Sequence, residues 1–281
     1  VPDSRHGFAQ ALTVRTGWPL DVSGPEWFLR MTSARESLMI GPIAYDVGMN
    51  NGDDSDYYLK KGYNVVGIDA NPIVCEQAAR RFDVGIKAGR ITILNLGVGS
   101  QPGRMTFYVH KGHSVLSTFC PEQILSGDKN DLNPEVWQPI DVEVRRLSDI
   151  VRFFGTGEYI KIDVEGFDVV ALKDLNVNKI YPKYISAEAH QVDTFCHLVA
   201  MGYTEFKFVQ GATVHTLFSD HEIGLLGGGV TRHAFPGHSA GPFGEDIPGP
   251  WLDKKTILAL WQQRGGGWCD LHARMSPVSP E

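Results

Sequence analysis

Asp163, Glu188 and His190 close two apolar runs, YIKID and YISAEAH, that read as buried strands. Residues two apart in an extended strand face the same side, so Glu188 and His190 can converge on one point. If the two strands are neighbours, Asp163 joins them at the same edge of the sheet. Two carboxylates with an optional imidazole make an oxygen-rich site for Mg²⁺ or another divalent cation, and Glu165 and Asp168 add acids nearby. Such an ion can bind a hydroxyl and acidify it. The alternative is that Asp163 meets a bound cofactor while Glu188 is a hydrogen-bonded strand-end acid. His190 is the first choice for general base, since neutral imidazole works near physiological pH; capping the next helix is its other reading. His113, in the loop KGHSVLST, is the rival base. His110 reads as structural within an alternating strand, and nothing selects among His215, His221, His233 and His238.

A second constellation lies in YDVGMNNGDDS, Tyr45 to Ser55, where a glycine turn is followed by Asp53, Asp54 and Asp56. Glycines between strand and helix let backbone approach a ligand closely. A pyrophosphate is disfavoured, because the middle glycine of G-x-G-x-x-G is missing and the acids repel it. A P-loop is disfavoured too, because Gly52 is followed by Asp53 where G-K-[ST] is required. S-adenosylmethionine carries no phosphate and a positive sulfonium, so carboxylates there are an asset. Asp69, ending NVVGID, stands where an acid can take both ribose hydroxyls.

These residues need strand ends gathered on one side of a sheet. From about residue 42 to 215, β-branched runs alternate with helical patterns, which predicts a doubly wound, mostly parallel α/β sheet. IAYDV, NVVGID and RITILNL read as its first three strands, RMTFYVH and VEVRRL as a further pair, and TEFKFV as a late strand near an edge. Asn71 suits a helix N-cap with Pro72 in the first turn. We expect an N-terminal helical cap over residues 1–40, a core over 41–218 with a lid or insertion at about 110–140, and a Gly/Pro-rich acceptor-binding segment over 219–281. In that last segment Phe235, Phe243 and Trp251 could stack on sugar rings while Glu245 and Asp246 accept hydroxyl protons; anchoring the loop on the sheet is their alternative role.

YDVGMNNGDDSDYYLKKGYNVVGIDANP, YIKIDVEGFDVVALKDL and YPKYISAEAH together resemble the FkbM-type class I S-adenosylmethionine-dependent methyltransferases, over roughly residues 43–210. The resemblance implies a Rossmann-like sheet, a bound methyl donor and transfer to an oxygen of a small molecule or sugar. It places Tyr45, Gly48, Asn50, Gly52 and Asp53 around the donor's methionine end, and Asp69, Ala70 and Asn71 at its ribose. Leu96, Gly97 and Val98 fall at the adenine; apart from the resemblance, Ser117 and Thr118 in the KGHSVLST loop could reach the donor's carboxylate, and Asp163 could contact the donor. Met49 departs from the family's usual small residue and implies a tighter pocket.

Composition sets bounds on the partners. A net charge of -7 argues against a nucleic-acid substrate. No apolar run reaches the length of a membrane span, and no leader segment is evident, so a cytoplasmic location is expected. Four scattered cysteines without CxxC spacing read as reduced thiols. The leading expectation is an O-methyltransferase acting on a small-molecule or oligosaccharide acceptor, a sugar or glycoside hydroxyl, with Mg²⁺ assistance; a homo-oligomer is compatible with the sequence. The alternatives are a polyketide or phenolic acceptor, a nicotinamide-dependent oxidoreductase, or a non-catalytic binding module.

Overall fold

The computed structural model describes residues 41–125, 133–189, 192–264 and 268–276. The expected helical cap at 1–40 and the proposed roles of His190 lie outside the described residues. Along the chain come β1 (Ile43–Val47), β2 (Asn64–Asp69), β3 (Ile91–Asn95), β4 (Gly97–Val98), β5 (Gly103–His110), β6 (Trp137–Arg145) and β7 (Tyr159–Ile162). They are followed by β8 (Tyr184–Glu188), β9 (Glu205–Gln210), β10 (His221–Gly224), β11 (Val230–His233), β12 (Leu252–Asp253) and β13 (Cys269–Arg274). The longer helices are α1 (Asp53–Lys61), α2 (Pro72–Arg81), α3 (Leu147–Phe154), α4 (Asp168–Val177), α5 (Val192–Ala200) and α6 (Lys254–Arg264).

Eight strands form one sheet in the order β12-β9-β13-β8-β7-β1-β2-β3. The neighbours β8-β7, β7-β1, β1-β2 and β2-β3 are parallel, as the β-α-β alternation predicts. TEFKFV is β9, second from the edge. Among the strands not anticipated is β13, which enters antiparallel between β8 and β9. RMTFYVH and VEVRRL pair antiparallel as β5 and β6, in a separate small sheet with β4.

Each face of the large sheet carries its own core. Ile43, Tyr45 and Val47 pack beneath α3, α4 and α5 with Leu147, Ile150, Leu172, Leu175 and Leu198. The opposite face joins Ala44 and Val65 to Tyr57, Tyr58, Tyr159 and Phe243. Strand alternation therefore corrects the expectation for Tyr45. It points into the first core, wholly buried, and its hydroxyl donates to the Gly155 carbonyl at 2.6 Å instead of reaching a cofactor.

In the segment after β9, Phe235, Phe243, Trp251, Glu245 and Asp246 take the anchoring alternative. Phe243 stacks on Tyr159 with centroids 3.8 Å apart, and Phe235 meets Tyr57 edge-on at 4.7 Å. Asp246 accepts from Lys61 at 2.5 Å and Tyr57 at 2.7 Å, while Glu245 accepts from Tyr184 at 3.0 Å. Trp251 lies between the cations of Arg274 and Lys207, 4.5 and 4.8 Å from its ring. Tyr159 and Tyr184 begin their strands and Lys61 ends α1, so these contacts gather at the strands' amino ends. Phe243, Glu245, Asp246 and Trp251 thus anchor the segment on the sheet, on the side away from the strand-end acids. Truncating buried Phe243 to Ala should cost about 3–5 kcal/mol of stability in urea unfolding. Because the contact is remote from the strands' carboxyl ends, the folded fraction should keep its S-adenosylhomocysteine affinity.

Candidate functional site

The turn after β1 is shaped by two left-handed glycines. Gly48 has φ 81°, and a Cβ there would stand 1.6 Å from the carbonyl oxygen of Asp163, so only glycine lets the first turn touch the end of β7. Gly52, at φ 83°, starts α1, whose acidic first turn and basic last turn both suit the helix dipole. Between them Asn50 adopts φ 48° and donates its N–H to Asp69 Oδ2 at 2.8 Å. Asn71 donates its N–H to Asp69 Oδ1 at 2.8 Å, and its own side chain caps α2 by accepting from Ile73 at 3.0 Å. Burial pushes the Asp69 carboxyl up to about 6 even though both amides pull it down.

Beneath the turn sits a buried cation. Lys161 Nζ lies 3.5 Å from Asp46 Oδ1, 3.2 Å from Asp54 Oδ2 and 3.4 Å from Asp163 Oδ2, and donates to the Gly48 carbonyl at 3.2 Å. Asp46 also accepts from Ser55 at 2.6 Å, and Asp54 accepts from Ser239 at 2.6 Å and from the Ala240 amide at 3.1 Å. Burial alone would lower the lysine's pKa, but Asp163, Asp54, Asp46 and Asp270 together hold it well above its ordinary value. Lys161 therefore stays charged, and a carboxyl among its partners bears the desolvation: burial pushes Asp46 upward.

Asp163, Glu165 and Glu188 each offer a carboxylate oxygen, all within 4.8 Å of one another. Parallel pairing of β7 with β8 brings the first and last together. Glu165 reaches them because its backbone turns through φ 49°, in a loop whose Val164 and Gly166 amides donate to Asp168 at 3.2 and 3.3 Å. The Asp168 carboxyl is raised to about 8, by burial first and then by Asp163 and Glu188. Asp270 on β13 lies opposite Glu188, is 1% exposed, and neither carboxyl oxygen has a hydrogen-bond partner among the described residues. Burial and the Asp163 charge hold it well above the carboxylate range.

A cavity of about 650 Å³ opens over these elements, lined by the turn, Asp69, Ala70, the third-strand end and the acids. Nucleoside-sized ligands occupy cavities of this order. A family model for the methyltransferase FkbM domain matches residues 46–210. This chain belongs to the FkbM methyltransferase family. No curated protein matches it. Among solved structures, a precorrin-6y C5,15-methyltransferase from Geobacter metallireducens is similar at 10% identity and TM-score 0.36, covering 91% of this chain and 90% of that one. An S-adenosylmethionine-dependent O-methyltransferase from Thermotoga maritima is similar at 6% identity and TM-score 0.35, covering 91% and 67%. An rRNA methylase from Streptococcus thermophilus is similar at 10% identity and TM-score 0.35, covering 88% and 95%.

By its family the chain is an S-adenosylmethionine-dependent methyltransferase, and its cavity gathers most of the residues expected at the donor. Gly48, Asn50, Asp53, Asp69, Ala70, Leu96, Gly97, Val98, Ser117 and Asp163 all line it. Asp53 is already engaged by Arg81 at 2.6 Å and by Asn51 at 2.9 Å, while Ser117 accepts from the His110 amide at 3.1 Å. Gly52 and Asn71 do not line it; they shape the turn and cap α2. His113 lines only a smaller outer groove. Of the predicted metal set, Asp163 and Glu188 meet, and the third carboxylate among the described residues is Glu165. Phe107 and Phe119, centroids 4.7 Å apart, wall the cavity where a Gly97 Cβ would strike the Phe119 ring at 2.4 Å. The sequence alone did not single out Lys161, although a lysine inside a fully buried strand demands buried counter-charges.

Replacing Lys161 by Met strands its carboxyls without a cation and should cost about 3–5 kcal/mol in urea unfolding; an unchanged midpoint would strip the lysine of this role. An Asp69 that accepts the donor's ribose hydroxyls must be ionised. S-adenosylhomocysteine affinity, followed by calorimetry, should therefore fall up to about tenfold per pH unit below about 6. In the protein without donor the sign is opposite. The folded state holds this proton more tightly than the unfolded chain, so Asp69's contribution to stability is present below the unfolded pKa and lost as pH rises through about 6.

Proposed function

We propose that this methyltransferase transfers its methyl group to a hydroxyl of a sugar, glycoside or oligosaccharide, assisted by a divalent cation such as Mg²⁺. The observation that carries the reading is the Asp163, Glu165 and Glu188 trio on the wall of the donor cavity, with oxygens within 4.8 Å of one another. Three hard oxygen donors at that spacing suit an octahedral ion with bonds of about 2.1 Å. A cation held there would polarise an acceptor hydroxyl and make its proton easier to remove. An unactivated hydroxyl is a poor nucleophile, and transfer to carbon would not call for such a device.

Around the reacting end the chain's own groups hold and orient. Gly48, Asn50 and Asp69 fix the donor's methionine and ribose ends, and the surrounding carboxylates favour its positive sulfur. Lys161 keeps Asp163 in place from below through their 3.4 Å contact. The outer groove, about 300 Å³, is lined by Asn50, Asn51, Gln77, His113, Ser114 and His238, with Val115 its one large apolar residue among those described. Neutral donors and acceptors of this kind match a polyol better than a phenolic ring, and no lysine or arginine among the described residues lines the groove to meet a phosphate backbone.

The reading is tested by following tritiated methyl from S-adenosylmethionine to a set of methyl glycosides and to a catechol. Transfer to a glycoside, abolished by EDTA and restored by Mg²⁺, is expected, with S-adenosylhomocysteine affinity indifferent to the chelator. Chelator-resistant turnover would retire the cation, and transfer to the catechol alone would retire the sugar.

A further inference from the structure

Resting on the O-methyltransferase reading above, we infer that His238 is the base that takes the acceptor's proton. Donor and acceptor must meet where the donor cavity opens into the outer groove. Five residues line both spaces: Asn50, Asn51, Ser114, Val115 and His238. Of these five, only His238 carries an imidazole, whose ring nitrogen can accept a hydroxyl proton. His113 lines the groove without lining the donor cavity, so it faces an acceptor away from the reacting carbon.

His238 is also held as a working group is held. Its backbone sits at φ 70°, a left-handed conformation that costs a non-glycine residue roughly 1 kcal/mol or more. Asn50 and Glu165, two of the other three non-glycine residues with positive φ among those described, line the same cavity. The strained backbone is pinned directly beside the histidine. Ser239 Oγ donates to Asp54 Oδ1 at 2.6 Å and the Ala240 amide donates to the same carboxylate at 3.1 Å, tying the segment to the Lys161 cluster. On its other side the imidazole lies over Trp268, centroids 6.2 Å apart and planes 27° from parallel. Trp268 itself is seated on Gly211, where a Cβ would come within 2.2 Å of the indole. The chain five residues past β11 thus brings one exposed imidazole to the junction, with its neighbouring backbone latched and Trp268 on one side.

In the step this assigns, the acceptor oxygen bonds to the methyl carbon as the carbon–sulfur bond breaks. The departing electron pair neutralises the sulfonium to a thioether, and the hydroxyl proton passes to a ring nitrogen of His238, leaving imidazolium for solvent to discharge. No further reactant is needed.

The test is His238→Gly, which relieves the left-handed backbone and leaves room for a free imidazole. Tritiated methyl transfer to methyl glycosides should fall about 10²-fold or more in kcat. S-adenosylhomocysteine affinity should stay within about twofold, and imidazole added to the buffer should restore part of the lost turnover. His113→Gly, whatever its effect on acceptor binding, should show no rescue by imidazole. His238→Gly turning over at the parent rate, or an inactive variant that imidazole leaves inactive, overturns the assignment. A parent protein that binds S-adenosylhomocysteine yet methylates no glycoside overturns the glycoside reading itself, and the base falls with it.

Discussion

One ammonium buried under the first turn, facing carboxyls from three different elements, is the constraint around which this molecule is organised. Asp46 comes from β1, Asp54 from α1 and Asp163 from the end of β7, and each stands within 3.5 Å of Lys161 Nζ. Desolvating such a group is expensive, and its cost is offset only if every partner is in place together. The turn inherits this all-or-none character, because the same ammonium also holds the Gly48 carbonyl. Asp54 then passes the constraint outward to Ser239 and Ala240, so the late segment is registered on the donor turn by buried hydrogen bonds.

Charge around the cavity is arranged in layers. Asp46, Asp168 and Asp270 are buried deeply enough to be pushed upward, so each favours keeping its proton near neutral pH more than a free carboxyl would. Asp163, Glu165 and Glu188 reach the cavity wall, and Lys161 stands behind Asp163. Carboxylates thus stand at the cavity wall, while the acids behind are pushed by burial toward their protonated form or face the lysine. This answers why acids follow the glycine turn: Asp54 holds the architecture together, Asp53 is tied to Arg81, and Asp69 braces both Asn50 and Asn71.

The parallel sheet was legible because its strands are short runs of β-branched residues with glycines or asparagine-proline punctuation between them. The cavity wall was legible because family motifs mark strand ends, and strand ends share one side of such a sheet. Tyr45 shows where a motif misleads: adjacency in sequence suggested the cofactor, while alternation along β1 sends its ring to the other face. The third carboxylate was Glu165, whose arrival depends on a left-handed backbone that no periodicity announces. Phe243, Glu245, Asp246 and Trp251 could equally have faced a sugar or the sheet, and only the tertiary contacts decided for the sheet. His238 could not be chosen from among ten histidines, because its position depends on a latch to a residue 185 positions earlier.

The placement of β13 has a consequence for how the protein is made. β8 finds its second neighbour only in residues 269–274, and β9 is likewise paired with them. A nascent chain leaving the ribosome must therefore carry an open slot between β8 and β9, with the exposed strand edges that invite intermolecular pairing. Trp268 and Asp270 arrive at the site with that strand, so synthesis can yield a nearly finished sheet before it yields a competent enzyme.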